Sequence, residues 1–260
     1  MRKGFKLLCF SALSASLLLT GCTKKEETST TTPEPTATPE ATATPEAVAS
    51  EAPATTLGGW SVYPDNEAHL TDEQKALFEK TFEGWTGVGY EPLDVVATQV
   101  VSGTNYAYLA KGTTVTANPE IGYYIVTIYE DLSGNSEMLC IKGLDFTKPV
   151  VTEDAPENLA GGWSITDNEK AGTFTDSKVQ ESFTAALGQY VGVNLIPVSL
   201  LGTQLVSGTN YCALCRGATV TPDAVRNLYL VTWYEDLQGN SKITDVQRLD
   251  INYYVDPSVQ

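Results

Sequence analysis

Two stretches of the chain space their apolar residues as a helix does. Leu70, Leu77, Phe78, Phe82 and Trp85 form one stripe, and Val179, Phe183, Leu187 and Tyr190 form the other. Thr71-Asp-Glu-Gln74 is a capping-box pattern that starts the first helix, and Thr175 begins the second. Gly87 and Gly192 break them. After Pro92 and Pro197 the period shortens to that of strands, at 92–102, 105–116, 122–132 and 136–146, and again at 197–207, 210–221, 227–237 and 241–251. Ser102-Gly-Thr-Asn105 and Ser133-Gly-Asn135 are short and turn-rich, so they close hairpins. A short strand from Trp60 to Tyr63 precedes the first helix.

This pattern occurs twice because the sequence does. Gln99-Val-Val-Ser-Gly-Thr-Asn-Tyr106 returns as Gln204-Leu-Val-Ser-Gly-Thr-Asn-Tyr211, an offset of 105 that also relates Lys111-Gly112 to Arg216-Gly217 and Tyr129-Glu-Asp-Leu132 to Tyr234-Glu-Asp-Leu237. Leu57-Gly-Gly-Trp-Ser61 answers Ala160-Gly-Gly-Trp-Ser164 at an offset of 103. A repeat of this length is a whole small domain rather than a solenoid unit. The expectation is an α+β fold: two modules, each an antiparallel sheet of a short strand and four longer ones with one helix lying across it. At roughly 90 residues, each copy is large enough for its own core.

The N-terminus places these modules. Arg2, Lys3 and Lys6 precede an apolar run, Leu7 to Thr20, too short for a comfortable membrane span, so residues 1–21 read as a secretory signal. Its end, Leu18-Leu-Thr-Gly-Cys22, resembles the lipobox of bacterial lipoproteins, which implies lipidation (palmitate included) of Cys22 and anchoring in a bacterial cell membrane. The chain would face the extracellular side, or the periplasm or outer membrane in a double envelope. Residues 22–56 are rich in Thr, Pro, Glu and Ala and contain no aromatic residue, so they form a disordered tether. Without the three basic residues of the signal, 13 basic side chains face 32 acidic ones, a net charge of −19. That balance argues against nucleic acid as a partner.

Of the cysteines, Cys140, Cys212 and Cys215 remain after the signal and the anchor. Cys212-Ala-Leu-Cys215 has the spacing of a redox or metal pair, but it lies in a strand, where residues three apart point to opposite faces. The first copy carries Ala107 and Ala110 there, so small structural side chains are expected.

Gly-Gly before the first strand and Gln-Val-Val-Ser-Gly at the first long hairpin resemble the cystatin family, whose members carry a glycine near the N-terminus and Gln-x-Val-x-Gly in the first hairpin loop. Both copies carry the resemblance, giving cystatin-like domains at 57–147 and 159–254 joined by a linker at 148–158. It implies non-covalent inhibition of papain-like cysteine peptidases, of a host or of the bacterium itself. The wedge of the first domain would be Leu57, Gly58, Gly59, Gln99, Val100, Val101, Ser102 and Gly103. That of the second would be Gly161, Gly162, Gln204, Leu205, Val206, Ser207 and Gly208. The second hairpins would add Leu132 and Gly134, and Leu237 and Gly239. Many family members have Pro-Trp at that hairpin; Ser133-Gly-Asn135 and Gln238-Gly-Asn240 stand there instead. The alternative is a non-inhibitory adhesion or protein-binding module on the cell surface.

An enzyme is not expected, and neither is a cofactor, a metal or a catalytic residue. The single histidine, His69, has no counterpart in the second copy and reads as a surface residue. Lipase-type Gly-x-Ser-x-Gly, phosphate-binding glycine loops and zinc-ligand spacings beyond the lone Cys212–Cys215 pair do not occur. The acidic pairs Glu130-Asp131 and Glu235-Asp236 read as solvated strand ends rather than calcium ligands.

Overall fold

A computed structural model describes residues 58–147 and 161–258, apart from 66, 169, 173 and 221–223. The expected signal peptide, Cys22, the tether, Leu57 and the linker 148–158 lie outside the described residues. The first half runs β1 (Trp60–Val62), α1 (Asp72–Thr81), β2 (Val88–Val101), β3 (Gly103–Thr114), β4 (Ile121–Asp131) and β5 (Ser136–Gly143). The second runs β6 (Trp163–Ile165), α2 (Ser177–Leu187), β7 (Val193–Val206), β8 (Gly208–Thr219), β9 (Arg226–Glu235) and β10 (Ser241–Leu249), then α3 (Ile251–Val255). Each half is a five-stranded antiparallel meander, ordered β1-β2-β3-β4-β5 and β6-β7-β8-β9-β10.

The expected fold class needs correction. Strands make up 51% of the structure and helices only 14%, so two sheets, and not a helix on a sheet, set the architecture. The α+β picture of two cystatin-like modules, each with a helix lying across its sheet, does not describe it. The physical reason is the length and composition of the strands. In β3, Ala107 and Leu109 point to one face and Tyr108 and Ala110 to the other, and all four are buried. A strand buried on both sides reads as a continuous apolar run and needs cover on both sides. A helix of 10 or 11 residues can cover part of one face of a sheet with 14-residue strands, and no more.

The other face is covered by the other half. One core cluster combines Val96, Ala97, Leu109 and Ile125 of the first sheet with Val198, Leu201, Leu214 and Leu230 of the second. The sheets therefore pack face to face as a sandwich. Two outer clusters lie under the helices, with Leu77 and Phe78 of α1 over the first sheet and Val179, Phe183 and Ala186 of α2 over the second. Thr71 caps α1 with the expected reciprocal bonds to Gln74, whereas α2 is capped by Asp176, one residue later than the sequence suggests. The short α3 is not foreseen from sequence. It carries Val255 into the shared core and lies against the first half, where Lys142 Nζ donates to the Asp256 carbonyl at 2.9 Å.

The halves run in opposite directions. Phe146, beyond the far end of β5, meets Trp163 near the Gly-Gly end of the second half, with ring centroids 5.8 Å apart. Tyr123 of β4 donates to the Thr166 carbonyl, and Lys111 reaches Asp167 at 2.8 Å. At the corresponding corner on the other side, Arg216 of β8 crosses to the first half and pairs with Asp94; both are buried. Arg216 also donates to the carbonyls of Asp65 at 3.0 Å and Glu67 at 3.2 Å, and the His69 amide donates to Asp94 at 2.6 Å. Burial pushes the Asp94 carboxyl up, while the guanidinium and the amide pull it back.

Cys212 and Cys215 take opposite faces as expected, the first in the shared core and the second under α2. Both are free thiols. Burial pushes the Cys212 thiol up to about 12 and that of Cys215 well above its ordinary value. His69 is not the surface residue its position suggests: its side chain is 8% exposed, stacked on Tyr63 at 3.7 Å and bonded to Asp65 at 2.6 Å.

Two measurements test this interior. Urea unfolding of Arg216→Met is expected to show a loss of about 3–5 kcal/mol, because it strands a buried carboxylate. The double variant Arg216→Met, Asp94→Leu should recover most of that loss, and additive losses would show that the two groups are not coupled. With Ellman's reagent, Cys212 and Cys215 should stay silent in the native protein and react only on unfolding; rapid native labelling at either position would contradict its burial.

Candidate functional site

The register of each sheet brings three predicted segments to one end. Trp60 pairs with Gln99, which sets Gly58-Gly59 beside the β2–β3 turn. Gly103 pairs with Asp131, which sets the β4–β5 turn on the other side. In the second half Trp163 pairs with Gln204 and Thr209 with Glu235, repeating the arrangement. Gly58, Gly59, Gln99 to Gly103, Leu132 and Gly134 thus form one three-part tip. Gly161, Gly162, Gln204 to Gly208, Leu237 and Gly239 form a second.

The β2–β3 turn is as tight as a hairpin allows, with Val101 opposite Gly103 and only Ser102 between them. Gly103 has φ of +139°, and a Cβ on it would lie 2.2 Å from the Glu130 carbonyl oxygen. Gly208 repeats this, at φ +131° and 2.3 Å from the Glu235 carbonyl. The Tyr129 hydroxyl donates to the Ser102 carbonyl at 2.8 Å, and Tyr234 does the same for Ser207. These motif glycines are therefore demanded by the close approach of β4 and β9, whatever the tips do.

The glutamines also have structural work. Gln99 Nε2 donates to the Gly58 carbonyl at 2.9 Å, and Asn105 Nδ2 donates to Gln99 Oε1 at 2.7 Å. Gln204 bonds the Gly161 carbonyl at 2.8 Å and accepts from Asn210 at 2.9 Å. The Gln-to-Asn spacing in Gln-x-Val-x-Gly-Thr-Asn thus makes a clamp that ties the incoming Gly-Gly strand to the turn. Sequence reasoning singled out the glutamine but missed the asparagine, whose signal was its presence in both copies.

The β4–β5 turn is closed by a carboxylate. Asp131 Oδ1 accepts from the Ser133 and Asn135 amides at 2.8 and 2.9 Å, and Oδ2 from the Asn135 side chain at 2.8 Å. Asp236 does the same with Gln238 and Asn240. In both turns the asparagine side chain, then its amide, holds the carboxyl below its ordinary value. This contribution is present above the unfolded-state pKa and fades only as pH falls through the lower folded one, so tip geometry is indifferent to pH near neutrality. Among the described residues no cluster of His, Cys, Asp or Glu could hold a metal. Lys80, near the end of α1, donates to the Gly134 carbonyl at 3.2 Å and steadies the first of these turns.

Exposed at the tips are apolar side chains set among the polar Ser102, Ser133 and Asn135 of the first and Ser207, Gln238 and Asn240 of the second. Leu132 is 88% exposed and Leu237 78%, with Val100, Val101 and Leu205 also open to solvent. Trp60 and Trp163, in contrast, are partly buried and pack against the shared core.

Glycine substitutions separate the two kinds of turn. Gly103→Ala and Gly208→Ala are each expected to cost about 2 kcal/mol or more in urea unfolding, since backbone must shift to admit the Cβ. At Gly134 and Gly239 nothing lies within 4 Å of an added Cβ. Alanine there should cost only about 1 kcal/mol, from the positive φ alone. Equal costs at the four positions would mean that the β2–β3 turns are looser than described.

No protein-family model matches the chain, and no curated protein matches it, so the tips have to be read from their own chemistry.

Proposed function

We propose that this is a surface-anchored binding protein that works through its two tips, and that papain-like cysteine peptidases are the partner class it inhibits. The observation that carries the reading is a leucine held out at the same place on each tip, Leu132 and Leu237, where the turn itself asks for no apolar side chain. Beside it stand Val101 or Leu205 on a preformed hairpin. A rigid, narrow projection that carries apolar side chains at its end suits a groove, and little ordering entropy is lost when it docks. The cystatin resemblance of the Gln-x-Val-x-Gly turns supplies the groove's identity. Inhibition would follow because the turn presents main chain at the catalytic thiol without a correctly placed scissile bond. Lipidation of Cys22 would hold the molecule at the membrane, with the tether letting the tips stand away from it.

Because the halves run in opposite directions, the tips point away from each other. Strands of 14 residues at about 3.3 Å each put them on the order of 45 Å apart. That leaves room for one partner on each.

The clamp favours a second reading, non-inhibitory protein binding. Gln99 and Gln204 are occupied in holding the Gly-Gly strand, so the motif is explained without a peptidase.

Titration of papain with the piece 49–260, which holds both halves in one compact unit, tests the proposal. The expected outcome is tight inhibition at two peptidases per chain, falling to one with Leu132→Asp or Leu237→Asp and to none with both. Binding without loss of peptidase activity would select the second reading. Absence of both binding and inhibition at about micromolar concentration would remove papain-like peptidases as the general partner class.

A further inference from the structure

The two halves differ behind their tips. In the first, the loop after β1 sends Tyr63 and His69 inward as a stacked pair, 3.7 Å between centroids and 12° between planes. Around Tyr63 stand Gln74, Asp94 and Tyr106. The repeat counterparts of those three neighbours are Val179, Ser199 and Tyr211, each 105 residues on. All three line a cavity of about 540 Å³ in the second half. The counterpart of Tyr63 itself, 103 residues on, is Thr166, and at the same offset Gly172 falls near the place of His69. These two also line the cavity. At the offset of 105 that holds from the helix on, Phe174 takes the place of His69, so the second half has lost the ring of Tyr63 and kept the space around it.

We infer that this cavity is a binding site for a planar aromatic group carrying a hydrogen-bonding substituent, supplied from outside the chain. The first half shows what the space accepts: a phenol, stacked there on an imidazole. One wall is Tyr211, already ordered by stacking on Trp233 at 4.9 Å and 14°, a surface suited to another ring. Phe174 and Val179 add apolar wall, while the Ser199 hydroxyl, which accepts from Asn168 Nδ2 at 3.0 Å, has its own proton to donate to a polar substituent. The volume lies within the range of small-molecule sites. Lys170 and Asp176 on its lining offer both signs of charge, which suits an amino-acid or peptide backbone attached to the ring. Leu205 of the second tip also lines it, so the site opens beside the surface proposed for partner binding. The ligand could be a free aromatic amino acid or an aromatic side chain of a bound protein.

The test is isothermal titration, with saturation-transfer NMR, of the piece 49–260 against L-tyrosine, N-acetyl-tyrosinamide and Gly-Tyr-Gly. Saturable binding at one site with a Kd of about 1 mM or tighter is expected for at least one of them. Thr166→Tyr, which restores the ring the first half carries, and Thr203→Phe, which fills the cavity from β7, should each weaken it about tenfold or more with an unchanged unfolding midpoint. A preference for free tyrosine assigns a small-molecule ligand, and a preference for the blocked or tripeptide forms assigns a peptide side chain. No saturable binding of any of the three up to about 10 mM overturns the inference, as does undiminished binding in both filled, folded variants.

Discussion

Each sheet of this protein is apolar on both faces, and everything else in the architecture answers to that. A helix of three turns can cover one face in part. The second face needs a partner of its own size and shape, and duplication supplied one. Val96, Ala97 and Leu109 on one side and Val198, Leu201 and Leu214 on the other are buried only because the halves meet. Separating them would expose a continuous apolar surface on each, so the stabilising unit is the pair and not the single copy.

Within that seam, hydrophobic burial has no direction of its own. The directional groups are polar: Arg216 with Asp94, Asp65 and Glu67 at one corner, and Lys111 with Glu91 and Asp167 at the other. The corners are related by the repeat but have diverged. The arginine corner is dry and the lysine corner is wet, since Asp167 is 65% exposed whereas Asp94 is fully buried. A buried ion pair is poor evidence of net stability, because desolvation offsets most of its attraction. Its consequence here is discrimination, because any other stacking of the two sheets would strand Arg216 and Asp94 without partners.

The sequence showed where most of the elements are and not how they are covered. Turn residues and the repeat located the β2–β3 and β4–β5 hairpins and their counterparts, although β2 and β7 begin at Val88 and Val193, ahead of the prolines, and the three-residue spacing of Cys212 and Cys215 put them on opposite faces. The alternation that normally tells a buried face from a wet one is absent in strands buried twice, so nothing in β3 or β8 announces a second sheet. The same blindness made His69 look like a surface residue, because its partners Tyr63 and Asp65 lie in a loop whose path depends on the seam. Asp250 before Ile251 was a legible cap for α3, but a five-residue helix draws its stability from docking on the other half, which no local pattern reveals. The tip segments were legible as a set. What the sequence concealed was that Gln99 and Gly103 are required by the fold itself.

That last point decides how the likeness of the two tips should be weighed. Identity between copies at Gln99 and Gln204, or at Gly103 and Gly208, follows from the clamp and from the close approach of the neighbouring strand. It would persist in a protein whose tips touch nothing. Leu132 and Leu237 are different. They sit in turns already closed by Asp131 and Asp236, they meet solvent over most of their surface, and a polar residue would serve the turn as well. The neighbouring turn position has in fact diverged, Ser133 against Gln238, while the leucine has not. Apolar side chains held in solvent at equivalent points, each beside a position free to vary, are better accounted for by a surface that meets these ends than by the needs of the fold.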